Sequence, residues 1–218
     1  MVMVDRSVYN PRMKSRNNVD DLGVAPGGEA EPASARERIL QSATRLFYEE
    51  GIRATGIDRV IAQAAVTKVT FYRHFPSKND LILEYLERRH LRWMAWFREA
   101  LARHGGPANP AKAVVGALDE WFAGRALAPF RGCAFLNGVG EMGPALSEVF
   151  DITRRHKQDM ADAVSDLLPP SRDRKAIAAA IAQSIDGAIL QVQYTGDAKA
   201  ASRTLALAIT RLCGARAA

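Results

Sequence analysis

The sequence predicts an all-α fold of about nine helices. From Ser34 onward, apolar residues recur at helical spacing almost without a break. Cap residues and Gly or Pro breakers divide that pattern into helix-sized lengths. No two segments alternate apolar and polar residues in the manner of paired strands.

The elements follow in order. Ser34 with Glu37 three residues later makes a capping box, Ile39, Ala43, Leu46 and Phe47 mark the apolar face, and Gly51 stops the helix. A short helix begins at Thr55 or Gly56, with Ile57, Val60, Ile61 and Ala64 on one side. Thr67 caps a second short helix carrying Val69, Phe71 and Tyr72, broken by Pro76 and Ser77. Ser77 with Asp80 opens a long helix over 78–103, striped by Ile82, Tyr85, Leu86, Arg89, Trp93, Trp96 and Phe97. A helix over 111–127 holds Val114, Val115, Leu118, Trp121 and Phe122. The glycines of the stretch 132–143 suit close helix packing and a loose, bent segment beside a cavity. Pro144 then sits in the first turn of a helix reaching Leu168, which Pro169-Pro170 end. Ser171 opens a helix of Ala and Ile repeats up to Tyr194, Gly196-Asp197 make a turn, and a last helix over 200–213 holds Leu205, Ala208, Ile209 and Leu212.

Composition bounds the class. The chain has 218 residues, 48% hydrophobic and 25% charged, which suits a globular protein with a real core. A net charge of +6 is compatible with nucleic acid or an anionic surface and proves neither. Cys133 and Cys213 are far apart, with no CxxC or Cys/His cluster, so neither a zinc site nor a disulfide framework is expected. No apolar leader opens the chain, and no apolar run approaches the roughly 18–20 residues of a membrane helix. A cytoplasmic protein with no membrane partner, metal or cofactor is therefore expected.

Residues 1–33 are polar and aperiodic and read as a disordered arm. Arg6, Arg12, Lys14 and Arg16 within it are open to two readings, a plain tail or an arm that reaches a minor groove. Residues 34–80 form the first domain and 81–218 the second.

The two short helices at 57–64 and 68–74, joined at Ala65-Val66-Thr67 and crossed by helix 35–50, have the layout of a helix-turn-helix. The second presents Lys68, Thr70, Arg73 and His74, donors suited to phosphates and base edges. His74 stays open between base reader, phosphate donor and solvent-exposed side chain. Lys78 begins the next helix, where its ammonium opposes the helix dipole, a placement that makes sense if a phosphate shares the site. Residues 34–80 hold eight Lys/Arg against five Asp/Glu. Such an excess also describes an ordinary solvated helix face, so the motif carries the argument.

Gly51, Thr55, Ile61-Ala62, Ala64, Val66-Thr67, Phe71-Tyr72-Arg73-His74-Phe75, Ser77-Lys78 and Leu81 stand in one register over residues 36–81. In these residues the chain resembles the TetR family of bacterial regulators. It departs at Ala65, where that family commonly has Gly. The resemblance implies that helix 68–74 enters the major groove. It implies phosphate contacts from Thr55, Tyr72 and Lys78, base-facing roles for Lys68 and Thr70, and Thr67, Arg73 and His74 at the same surface. Double-stranded operator DNA is then the partner and a homodimer the form that binds it.

Beyond residue 80 lie ten of the sixteen aromatic residues. Trp93, Trp96, Phe97, Trp121, Phe122, Phe130 and Phe135, with Met142 as flexible filler, are candidates to line a cavity; ordinary core is the competing reading. The resemblance raises the first, since relatives carry an inducer cavity here, and implies a small apolar or aromatic inducer. The two C-terminal helices suggest a dimer surface. There Ile181, Ile185, Ile189 and Leu205 supply apolar area and small residues allow close approach.

Other classes fare worse. Gly138-x-Gly140-x-x-Gly143 matches a dinucleotide fingerprint, but no second strand is available to complete the unit. His90, His104 and His156 are not spaced as a ligand set, and no nucleophile–base order or P-loop appears. The expectation is a ligand-responsive regulator, acting as a repressor, and not an enzyme. A DNA-binding scaffold without an inducer is the competing class.

Overall fold

The computed structural model describes residues 33–124 and 130–214. The expected arm, apart from Ala33, lies outside the described residues.

Among the described residues there are nine α-helices and no strand. They are α1 (Ala35–Glu49), α2 (Ile57–Ala64), α3 (Lys68–His74), α4 (Lys78–Arg103), α5 (Pro110–Ala123), α6 (Ala134–Met142), α7 (Glu148–Ser165), α8 (Arg174–Thr195) and α9 (Ala198–Gly214). A single 3₁₀ turn at Gly106–Ala108 separates α4 from α5.

Caps explain most of the boundaries. Ser34 Oγ accepts the Glu37 N–H at 3.2 Å, Thr67 Oγ1 the Thr70 N–H at 3.1 Å, and Ser77 Oγ the Asp80 N–H at 3.2 Å. Only half of the expected first capping box forms, because the Glu37 carboxylate turns instead to Arg88 and Gln41. Ala65 ends α2 in the left-handed region with φ 50°, a conformation that costs a residue with a Cβ about 1–2 kcal/mol. Arg38 Nε donates to the Ala64 carbonyl at 3.0 Å, so α1 satisfies the exposed end of α2 just before this turn.

Helices α1 to α3 pack together as a head. Helix α4 starts at that head and runs into the body, where it meets α5 and α7. Its buried stripe includes Leu81, Ile82, Tyr85, Leu86, Trp93 and Phe97, so one apolar cluster runs from head to body. Arg88 pairs with Glu37, and Arg36 with Glu84 at 3.0 Å, fastening α1 to α4. In the body, α8 packs between α7 and α9, and α9 lies on α5.

Three expectations are corrected here. The Gly-rich stretch is not a loose segment but helix α6. Gly138 faces Val149 and Leu86, where a Cβ would stand in ordinary contact at 3.5–3.6 Å. The following helix begins at Glu148 rather than near Pro144, after a turn in which the Ala145 and Leu146 N–H groups bond back to the Met142 carbonyl. Finally, α8 is long and apolar enough, by length and composition, to cross a membrane. Its Ala and Ile repeats cause this. Ala178, Ile181, Ile185, Ile189 and Val192 are buried against the body, while Lys175 and Gln183 are exposed.

Candidate functional site

Helix α3 lies on the head's surface with one residue fully inside. Phe71 is buried and meets Tyr72 edge-on and Phe75 at 6.1 Å between centroids. That anchor turns the rest of α3 outward. Lys68, Val69, Tyr72 and Arg73 are exposed, and Thr70 and His74 are half-buried. A seven-residue helix is too short to hold itself in water, so α1 and α2 must fix its pose. Thr67 caps α3 while its hydroxyl lies 2.9 Å from that of Thr70. Lys68 makes only a long contact of 3.9 Å to the exposed Asp58, which leaves its ammonium available.

Lys78 opens α4 beside this surface. Burial pushes its ammonium down from the ordinary value of 10.5, and the charge of Glu141 opposes that shift. The lysine forms no ion pair among the described residues, as suits a cation kept for an outside anion.

Thr55 corrects the expectation. It is fully buried. Its hydroxyl bonds to the Gly51 carbonyl at 2.7 Å and lies 3.3 Å from that of Leu46. A threonine so placed holds the α1–α2 turn and reaches no phosphate. Val69, an apolar residue carried on the same helix as Phe71, is 71% exposed. Only its offset from the anchor Phe71 could have told.

The family model for the bacterial regulatory proteins of the tetR family matches residues 39–85, which contain α2, α3 and most of α1. The fold also resembles a solved TetR-family transcriptional regulator from Streptomyces coelicolor at 34% identity and a TM-score of 0.72, covering 83% of this chain and 95% of that one. The chain belongs to the TetR family. It is thus a DNA-binding transcriptional regulator of that family. Curated relatives from Mycolicibacterium smegmatis include the HTH-type transcriptional repressor KstR2, 34% identical over 33% of this chain, and the HTH-type transcriptional activator FasR, 35% identical over 39%. The matches span only 34% and 39% of those two proteins.

In this TetR-family chain several aromatic residues of the body line two spaces. A cleft of about 790 Å³ opens between α5, α8 and α9, with Phe122 and Phe130 in its wall. Behind them a small void of about 10 Å³, scarcely room for one water, lies among Arg89, Trp93, Trp121, Cys133, Phe135, His156 and Lys157. Trp96, Phe97 and Met142 line neither of these two spaces. Phe97 is fully buried and stacks on Trp93 at 4.5 Å, and the Trp96 indole N–H donates to Glu120 at 3.1 Å. The polar side of the void was not foreseen. His156 stacks on Phe135 at 3.7 Å, and its Nδ1 lies 3.2 Å from that of His90, whose Nε2 meets Asp159 at 3.3 Å. Residues 90 and 156 are far apart in sequence, so no local spacing announces the pair.

The expected dimer residues are also corrected. Ile181 and Ile185 are fully buried, Ile189 and Leu205 nearly so, all inside the one chain. The opposite faces of α8 and α9 are the free ones. Leu190, Tyr194 and Leu207 are 56%, 73% and 59% exposed, and a Cβ on Gly187 would meet nothing.

Three contacts that sequence reasoning missed join head and body around α6. Tyr48 of α1 accepts the Arg131 N–H at 3.2 Å, and Arg131 donates to the Glu49 carbonyl at 3.0 Å. At the far end of α6, Glu141 accepts the Arg53 N–H at 2.9 Å.

Proposed function

We propose that this protein is a cytoplasmic, ligand-responsive repressor. It binds a palindromic operator as a homodimer and leaves it when a small molecule enters the body. The observation that carries the reading is the presentation of α3, anchored by Phe71 with Lys68, Val69, Tyr72 and Arg73 facing out and Lys78 alongside. In this reading Tyr72 and Lys78 hold phosphates. Lys68, Thr70, Arg73 and His74 serve the groove floor and its edges, and Thr67 shapes the start of α3. Val69 supplies an apolar contact of the kind that suits a thymine methyl.

Dimerisation uses the exposed side of α8 and α9, with Leu190, Tyr194 and Leu207 as anchors and Gly187 allowing close approach. Four helices from two copies make a bundle, and two α3 helices then address successive major grooves. Helix α4 is the lever. It begins at Lys78 and carries Trp93 to the void, so a ligand that moves its far end changes the spacing of the heads. DNA and ligand then oppose each other through a coupling that is reciprocal.

Selection from random duplex DNA tests the reading. Enrichment of an inverted repeat, with half-sites about 10 bp apart or a multiple of that, supports it. A pool without any enriched repeat sinks it. A reporter gene under the selected site then reads the sign, since relatives include both a repressor and an activator.

A further inference from the structure

The void in the body has an aromatic side and a cationic side. Trp93, Trp121 and Phe135 form the first; Arg89, His156 and Lys157 belong to the second. Lys157 is the telling residue. Its side chain is only 21% exposed, and one of its three N–H donors goes to Asp186. Its other contacts are sulfurs, Cys133 Sγ at 3.5 Å and Met160 Sδ at 3.9 Å, both of which line the void. Sulfur is a weak acceptor. The ammonium therefore has one carboxylate partner, Asp186, while its remaining contacts fall on sulfur, which offsets little of the desolvation that burial imposes. The surroundings keep Lys157 charged, with Cys133 and Asp186 raising its pKa against burial. Burial holds the pKa of neighbouring His156 well down, and the charges of Lys157, His90 and Arg89 lower it further.

The void and the open cleft share one wall. Trp121, Phe122 and Phe130 form it, with Phe130 at 5.4 Å and 5.8 Å from the other two rings. Along α8, Ile189 lines the void and Val192, one turn on, lines the cleft. The cleft volume of about 790 Å³ falls within the roughly 300–1,000 Å³ typical of small-molecule pockets.

We infer that the effector of this protein is a small organic anion, an aryl carboxylate, whose ring separates the aromatic wall and whose carboxylate takes the Lys157 donors now spent on sulfur. This deepens the ligand-responsive reading and rests on it. A ligand without an anionic oxygen would give the Lys157 donors now on sulfur no charge-assisted bond, so the site selects by charge as well as by shape. The aromatic body gives up its hydration to the ring wall, and no water need remain at the polar end.

The test compares phenylacetate with its neutral isostere phenylacetamide on the full chain, read by thermal shift and by tryptophan fluorescence. Phenylacetate is expected to raise the melting temperature and to bind about tenfold or more tighter than the amide, in keeping with a charge-assisted bond. Lys157→Gln should erase that preference. Because Lys157→Gln also strands Asp186, the double variant Lys157→Met/Asp186→Leu is run beside it and should lose the preference while remaining folded. Equal binding of the amide and the acid overturns the inference, as does a carboxylate preference that survives both variants. The same holds for carboxylates that give no shift up to about 10 mM, where even a Kd near about 1 mM would register. None of these results touches the broader reading, which operator release by a neutral ligand would support on its own. That reading fails separately, if no compound that binds the body weakens operator binding.

Discussion

Glu141 Oε2 accepts the backbone N–H of Arg53 at 2.9 Å, so the last turn of α6 in the body holds the α1–α2 turn of the head. The same carboxylate opposes the burial shift at Lys78 and crowds Gly51, where a Cβ would come within 3.1 Å of it. Gly51 has φ 102°, so this close approach and the backbone turn both require glycine. Glu141→Gln keeps an acceptor for Arg53 and removes a negative charge near the DNA-facing lysine. Operator binding should tighten by a few-fold at low salt, on the scale of roughly 1 kcal/mol for a partly exposed charge, and the gain should fade as salt rises. Unchanged affinity at every salt concentration would separate Glu141 from the DNA surface.

Lys78 and Thr55 were grouped together by resemblance, and the structure parts them. Lys78→Ala should weaken binding evenly across DNA sequences and reduce the salt slope by about one. Thr55→Val should leave the slope alone and lower stability by about 1–2 kcal/mol, because it removes a buried hydroxyl from the Gly51 and Leu46 carbonyls. Anisotropy titrations over a salt series, with thermal unfolding beside them, check both.

What the sequence made legible was local. Caps at Ser34, Thr67 and Ser77, the left-handed turn at Ala65 and the anchor Phe71 are decided by neighbours in the chain, and periodicity reads neighbours well. The Ile181, Ile185, Ile189 stripe was read correctly as apolar, but periodicity cannot say whose surface covers it. It is the same chain's α7 and α9 that do so. The pairs that join distant segments, His90 with His156, Lys157 with Asp186 and Arg53 with Glu141, leave no trace in spacing. The Gly-rich run over 138–143 misled because glycine lowers helix propensity, whereas here Leu86 and Val149 pack against Gly138 and override it.

That burial pattern separates folding from assembly. Ile185→Ala should cost about 2–5 kcal/mol in unfolding, as a truncation in a packed core does. Gly187→Leu should leave the folded chain no less stable, since leucine favours a helix over glycine by up to about 1 kcal/mol and a Cβ at this position meets no neighbour within 4 Å. It should nonetheless shift sedimentation toward monomer. A Gly187→Leu dimer that sediments as before would move the assembly surface elsewhere.

Acid should loosen the joint between α1 and α4. The Arg88 guanidinium holds the Glu37 carboxyl below its ordinary 4.5 against the opposing effect of burial. A carboxyl lowered in the folded state gives stability that is full above about 4.5 and lost as pH falls through the lower folded value. Arg88→Met should flatten that part of the stability profile below pH 4.5, as followed by denaturant midpoints. An unchanged profile would show that the acid response comes from other carboxylates.

The central claim is that α3 reads a specific operator. Fluorescence anisotropy at near-physiological salt addresses it most directly, with DNA from immediately upstream of the protein's own gene titrated beside scrambled DNA. The expected result is a Kd near or below about 10⁻⁸ M with at least roughly 10³-fold preference for the upstream sequence. Equal, weak binding to that DNA, to the scrambled duplex and to every duplex recovered by selection would contradict it.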